Sequence, residues 1–215
     1  MSESGVSESA PLSEPVLPLL KARILHTRIF VFAMLPVVLF SLGMLAEDGV
    51  VHEIMEWAGH ILVILCVLGR AYCSAYIGGR KNDKIICEGP FSIVRNPLYV
   101  FSFIGIVGIG LQSGIATLLV LLLLGFVLYY PKVVAREEAF LLHKFGDTYR
   151  DYMLGTPRWW PRWKNWIEPE YITTQPRLLR ESMRDAAMFF IAFPIFELLD
   201  MLREKGILEA YFLLP

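Results

Sequence analysis

The stretch LYVFSFIGIVGIGLQSGIATLLVLLLLGFVLYYPKVV, residues 98–134, decides the fold. Two apolar runs, 98–111 and 115–134, are parted by Gln112-Ser113-Gly114, and no charged residue appears before Lys132. A helix needs ~20 apolar residues to cross the bilayer core, and tilt or kinking adjusts the fit of shorter ones. The pair therefore predicts a helical hairpin in a membrane. Gly105, Gly108 and Gly110 recur along the first arm, and small residues at such positions predict close helix–helix packing.

Three further apolar segments flank the hairpin. Residues 28–46 are long enough to span, and residues 51–73 carry Glu53, Glu56 and His60 before the run ILVILCVLG. Residues 186–202 are broken by Pro194, Glu197 and Asp200, and their uninterrupted apolar run is about half of what a span needs. The fold class expected is an all-α integral membrane protein. It has four transmembrane helices, including the hairpin 98–134, and a C-terminal interfacial or partly inserted helix. The organisation expected is a disordered tail at 1–20, a membrane domain at 21–165 and a C-terminal extension at 166–215. Composition agrees: 55% of the 215 residues are hydrophobic and the mean hydropathy is +0.52.

The formal net charge of −1 gives no reason to expect a nucleic-acid partner. Cys66, Cys73 and Cys87 form no CxxC pair and read as reduced, packed thiols. The four histidines lack an HExxH arrangement, so no metal is expected. Lys and Arg alternate between the connections. Lys21, Arg23 and Arg28 precede the first apolar segment, and Arg80, Lys81, Lys84 and Arg95 lie between the second and third. A further basic set follows the fourth, while the intervening turns have none. The positive-inside rule then places the N-terminus, the 74–97 loop and everything after 135 on the cytoplasmic side of a plasma or internal membrane.

Two polar clusters fall on that side. One is RAYCSAYIGGRKNDKIICEGPFSIVRNPLY, residues 70–99, and the other is REEAFLLHKFGDTYRDYMLGTPRWWP, residues 136–161. Gly89-Pro90 shapes a turn, and Pro97 opens a helix where its missing N–H does little harm. FGDTY reads as a helix end, with Gly146 just beyond the helix and Asp147 or Thr148 capping the next one. The Trp residues from 159 to 166 read as an interfacial belt. Arg95 and Glu137 sit beside the ends of apolar segments, where a charge in low dielectric needs a partner.

GPFSIVRNPLY resembles the GP(F/Y)xxxRHPxY signature of the isoprenylcysteine carboxyl methyltransferase and phospholipid methyltransferase superfamily. EEAFLLHKFGDTYRDYM…TPRWWP resembles its second signature, EExxLxxxFGxxYxxY…PR. Asn96 stands where the isoprenylcysteine branch has His, and Val133 stands where the family has a basic residue one turn before Glu137. The resemblance implies a membrane methyltransferase that uses S-adenosylmethionine. Carried over by motif position, cofactor contacts fall on Tyr76, Asp83, Lys84, Ile85, Ile86, Phe91, Asn96, Pro97, Leu98 and Tyr99. Glu137 and Arg95 take catalytic roles, and Glu137 with Arg136 faces the acceptor.

The residue types suit that donor. An arginine matches a carboxylate in bidentate fashion, acids take ribose hydroxyls or an ammonium, and aromatic faces attract a sulfonium. For Arg95 two roles stay open: a carboxylate clamp, or an ion-pair partner of Glu137 or Glu138. The acceptor expected is lipid-soluble or membrane-associated: a prenylated cysteine carboxylate, a phospholipid amine, a small thiol or another isoprenoid. The rival reading is a small membrane transporter or assembly factor. It would need ionisable residues within the third and fourth apolar segments, which carry almost none.

Overall fold

A computed structural model describes residues 25, 29–30, 32–43, 49–78, 84–208 and 212–214. The tail expected at 1–20 lies outside the described residues. The chain runs through α1 (32–40), β1 (Ser41–Gly43), α2 (Val50–Ile77), the short α3 (Pro90–Ile93), α4 (Pro97–Gln112) and α5 (Ala116–Phe145). It continues through α6 (Asp147–Gly155), α7 (Pro176–Ala187), α8 (Ala192–Glu204) and β2 (Phe212–Leu214).

α2 and α5 are each long and apolar enough to cross a membrane, and α4 is a shorter apolar helix. Their apolar side chains remain widely exposed. Ile61, Leu68, Leu124 and Leu128 face outward, as lipid-facing positions do. The segment 28–46 is not helical throughout: helix gives way to strand at Ser41. There β1 pairs in parallel with β2, in the register Ser41↔Phe212, Leu42↔Leu213, Gly43↔Leu214.

The hairpin forms as expected, turning at Gly114 with φ +64°. α4 also crosses α2 very closely, and glycine makes that crossing possible. A Cβ on Gly59 would lie 2.7 Å from the Gly108 carbonyl oxygen, and one on Gly108 would lie 2.8 Å from that of Gly59. The space beside Gly105 is filled by Cys66 Sγ and the Phe189 ring. These glycines thus serve packing.

The C-terminal extension follows α2 along most of its length. Thr174 fits against Gly78, the Ser182 hydroxyl meets that of Ser74, and Phe193 lies edge-on to His60 with centroids 4.4 Å apart. From Gly78 to His60 this path covers roughly 27 Å at 1.5 Å per residue. Arg203 then donates to the carbonyls of Val38 (2.7 Å) and Ser41 (2.9 Å). The extension therefore runs back along α2 at least as far as His60. The reason is burial. The apolar run beginning at Ala186, itself fully buried, packs against α2 and α4. Pro194 is accommodated in the first turn of α8, where its missing N–H costs little.

Candidate functional site

The site is assembled at the N-terminal end of α4 and the C-terminal end of α5. Gly89 adopts φ +56°, and a Cβ there would strike the Tyr76 ring at 2.3 Å. That turn starts α3 at Pro90. Asn96 is the residue before α4, Pro97 begins it, and Tyr99 stands in its first turn.

Glu137 and Glu138 are adjacent on α5, so their side chains diverge by about 100° around the helix. Each takes a different partner from the first signature. Tyr99 Oη donates to Glu137 Oε1 at 2.8 Å. Glu138 is buried, at 4% exposure, and collects several donors. Arg95 Nε lies 3.1 Å from its Oε1, Asn96 Nδ2 donates to Oε1 at 3.3 Å, and Arg158 pairs with both oxygens. Two signatures some forty residues apart in sequence therefore meet at a pair of carboxylates.

Backbone bonds hold the chain after α6 along the first signature. Arg95 N–H donates to Pro157 C=O (2.9 Å), Arg162 N–H to Ile93 C=O (2.9 Å) and Gly89 N–H to Ile167 C=O (2.8 Å). Ser92 Oγ accepts from Ile167 N–H at 3.1 Å, and Tyr152 Oη donates to Phe91 C=O at 2.7 Å. Trp160 and Trp163 project outward from this strap, at 86% and 72% exposure.

Tyr76 is buried and its hydroxyl meets that of Tyr72 at 2.9 Å. Asp83 lies outside the described residues. Lys84 is exposed, and Ile85 and Ile86 are half-buried. With Cys87 and Glu88 these three line a cavity of about 80 Å³. A wider, open groove of about 410 Å³ shares Cys87 and is lined by Ser92, Thr156, Lys164 and Trp166. Phe91 and Leu98 are half-buried, Pro97 is buried and Arg136 is exposed.

Of the two roles left open for Arg95, the structure shows the ion pair. Its guanidinium faces Glu138, and Nη1 donates to Met153 C=O at 2.7 Å. Glu138 and Arg158 were absent from the sequence-derived site, although both lie in the second signature. The signal was an acid pair followed by Pro-Arg. Gly146 ends α5 with φ +56° and also serves as N-cap of α6. Asp147 pairs with Arg150 instead of capping.

Tyr149 is buried behind the carboxylates. Burial, with a further push from Glu138, raises its phenol from 10.0 to about 12, and burial raises Tyr152 as well. A phenol that keeps its proton longer in the folded state stabilises the fold below pH 10. That stability is lost as pH rises from about 10 toward about 12. An alkaline melt followed by tryptophan fluorescence is expected to lose stability across this window, and Tyr149→Phe is expected to lessen the loss.

The residue types fit the groups of S-adenosylmethionine, while neither the cavity nor the groove is lined by Asn96, Tyr99 or Glu137. Asn96 offers an amide for hydroxyl or amino groups. Ile85, Ile86 and Phe91 offer apolar surface for a base, while Tyr130 is stacked on Phe126 with centroids 4.3 Å apart and meets Tyr99 edge to face.

The chain belongs to the phospholipid methyltransferase family, whose model matches residues 56–148 and so takes in the first signature and both carboxylates. It is 31% identical over 214 residues to the cobalt-zinc-cadmium resistance protein CzcN of Cupriavidus metallidurans, covering 98% of each chain. It is 30% identical over 169 residues to the nickel-cobalt-cadmium resistance protein NccN of Alcaligenes xylosoxydans xylosoxydans, covering 79% of each. A protein-S-isoprenylcysteine O-methyltransferase of Schizosaccharomyces pombe is 33% identical over 79 residues, which is 36% of this chain and 33% of that one. No solved structure matches significantly. Family and apolar helices together indicate an integral membrane protein of a methyltransferase family.

Proposed function

We propose that the protein is a membrane-embedded methyltransferase that uses S-adenosylmethionine to methylate a lipid-soluble acceptor. The observation that carries this reading is the convergence of the two signatures: Tyr99 on Glu137, and Arg95 with Asn96 on Glu138. The loop 84–88, Phe91, Asn96 and Tyr99 would hold the cofactor, which supplies an electrophilic methyl group on a sulfonium.

Methyl transfer is an in-line displacement, so alignment carries much of the gain, up to ~7–11 kcal/mol in favourable cases. Glu138, Arg95 and Arg158 keep the two signatures in register. Glu137, held by Tyr99, is the base that takes a proton from an O–H, N–H or S–H acceptor. A carboxylate acceptor would need no such base. The presence of Val133 where the family has a basic residue weakens recognition of a carboxylate, as does the engagement of Arg95 with Glu138. The basic residues in the connections at this end of the bundle support a cytoplasmic placement of the site.

Two relatives bear names of metal resistance. Among the described residues no group of three or more His, Cys, Asp or Glu is placed to hold a metal ion. On the methyltransferase reading, a resistance role would act through a methylated membrane component. The test is incubation of the purified protein with membrane lipid extract and S-adenosylmethionine labelled in its methyl group. Label is expected in an organic-soluble product with wild type, and none with protein omitted. Unlabelled lipid across extracts from several sources would refute transfer to a lipid.

A further inference from the structure

Arg70 is a charge on a helix that is long and apolar enough to cross a membrane. It lies about two turns before the end of α2 and beside the start of α4. A cation at such depth is costly without a counter-charge. Its Nη1 donates to Ser102 Oγ at 2.5 Å and approaches Leu98 C=O at 3.5 Å, and its Cζ is 5.9 Å from the Phe189 ring centroid. Among the described residues no carboxylate forms an ion pair with it, and its Nε is buried without a hydrogen-bond partner.

The contacts to Ser102 and Leu98 bolt α2 to α4, yet they engage one nitrogen of a group that carries five N–H donors. Neither they nor the Phe189 ring supplies a negative charge, and among the described residues no carboxylate does. The orphaned Nε belongs to the Nε–Nη2 edge, the side of the fork that a phosphate engages with two parallel bonds. The residue as a whole is half-buried, so part of it remains open at the bundle surface. The Phe189 ring from the C-terminal extension forms an apolar wall beside it.

We infer that Arg70 binds the phosphate of an anionic bilayer lipid seated between α2, α4 and the C-terminal extension. This lipid neutralises Arg70 at headgroup depth and ties the extension to the bundle. The inference rests on the membrane reading and on no step of methyl transfer. Its assay contains no cofactor, so either conclusion can fail alone.

The experiment is a thermal melt of the purified full chain in neutral detergent, with added phosphatidylglycerol, phosphatidylcholine or inorganic phosphate. Phosphatidylglycerol is expected to raise the wild-type Tm by roughly 5 °C at saturation. Phosphatidylcholine and inorganic phosphate are expected to have little effect. Arg70→Gln is expected to lose the increment. Arg70→Lys keeps the charge but not the fork, and is expected to bind phosphatidylglycerol about tenfold more weakly. Equal stabilisation of wild type by phosphatidylcholine would overturn the inference. So would stabilisation by inorganic phosphate alone, which would mark a free-oxyanion site. A full increment retained in Arg70→Lys or Arg70→Gln would show that Arg70 is only a structural bolt.

Discussion

Glu138→Gln is expected to destabilise the protein by about 3–5 kcal/mol, the range for breaking a buried ion pair and leaving a charge behind. The charge left behind is Arg95, whose side chain is only 10% exposed and has its backbone fixed to Pro157. Arg158 is less constrained, at 39% exposure, and can turn toward water. The loss is therefore dominated by Arg95, which makes it reversible by design. Arg95→Met in the Glu138→Gln background is expected to recover a substantial part, since an apolar replacement of a buried pair is often neutral. In a thermal melt the single variant is expected to fall by roughly 6–20 °C, at 2–4 °C per kcal/mol for a chain of this size. A fall of less than about 3 °C would mean that the network does not hold the two signatures together.

Glu137→Gln is expected to leave folding nearly intact and to reduce methyl transfer by about 10²–10⁴-fold, the usual contribution of a positioned base. The amide keeps the shape and an acceptor for Tyr99 Oη, so cofactor affinity is expected to change little. Tyr99→Phe removes a hydrogen bond to a charged group, worth about 1.5–3 kcal/mol, and is expected to lower transfer by about 10–150-fold. Radiolabel incorporation into lipid under saturating cofactor separates the two effects. If Glu137→Gln transfers methyl groups at the wild-type rate, the base is elsewhere or the acceptor is already anionic.

Much of the fold was legible because apolar runs and turn residues are local signals. The hairpin followed from the runs on either side of Gln112-Ser113-Gly114, and Pro97 marked the start of α4. The path of the C-terminal extension was not legible. Its breaks at Pro194, Glu197 and Asp200 looked like a failed span, but they are compatible with a track of α7, a 3-10 turn at Met188–Ile191 and α8, whose partners are far away in sequence, such as Ser74 and His60. The site was half legible. Glu137, Asn96 and Tyr99 stand out by motif, and the structure brings Tyr99 to Glu137. Which of two adjacent glutamates is buried depends on helix phase against α4 and on a strap returning from Arg158, and neither is written in the local sequence. For the same reason Arg95 had two open roles until Glu138 was seen beside it.

The most direct test of the central reading is isothermal titration of S-adenosylmethionine into the full chain, reconstituted in nanodiscs, with Asn96→Ala and Tyr99→Ala alongside. The expected result is saturable binding by wild type at one site per chain, weakened at least tenfold (about 1.4 kcal/mol) in both folded variants. Absence of binding by folded wild type, or equal affinity in all three proteins, would contradict it.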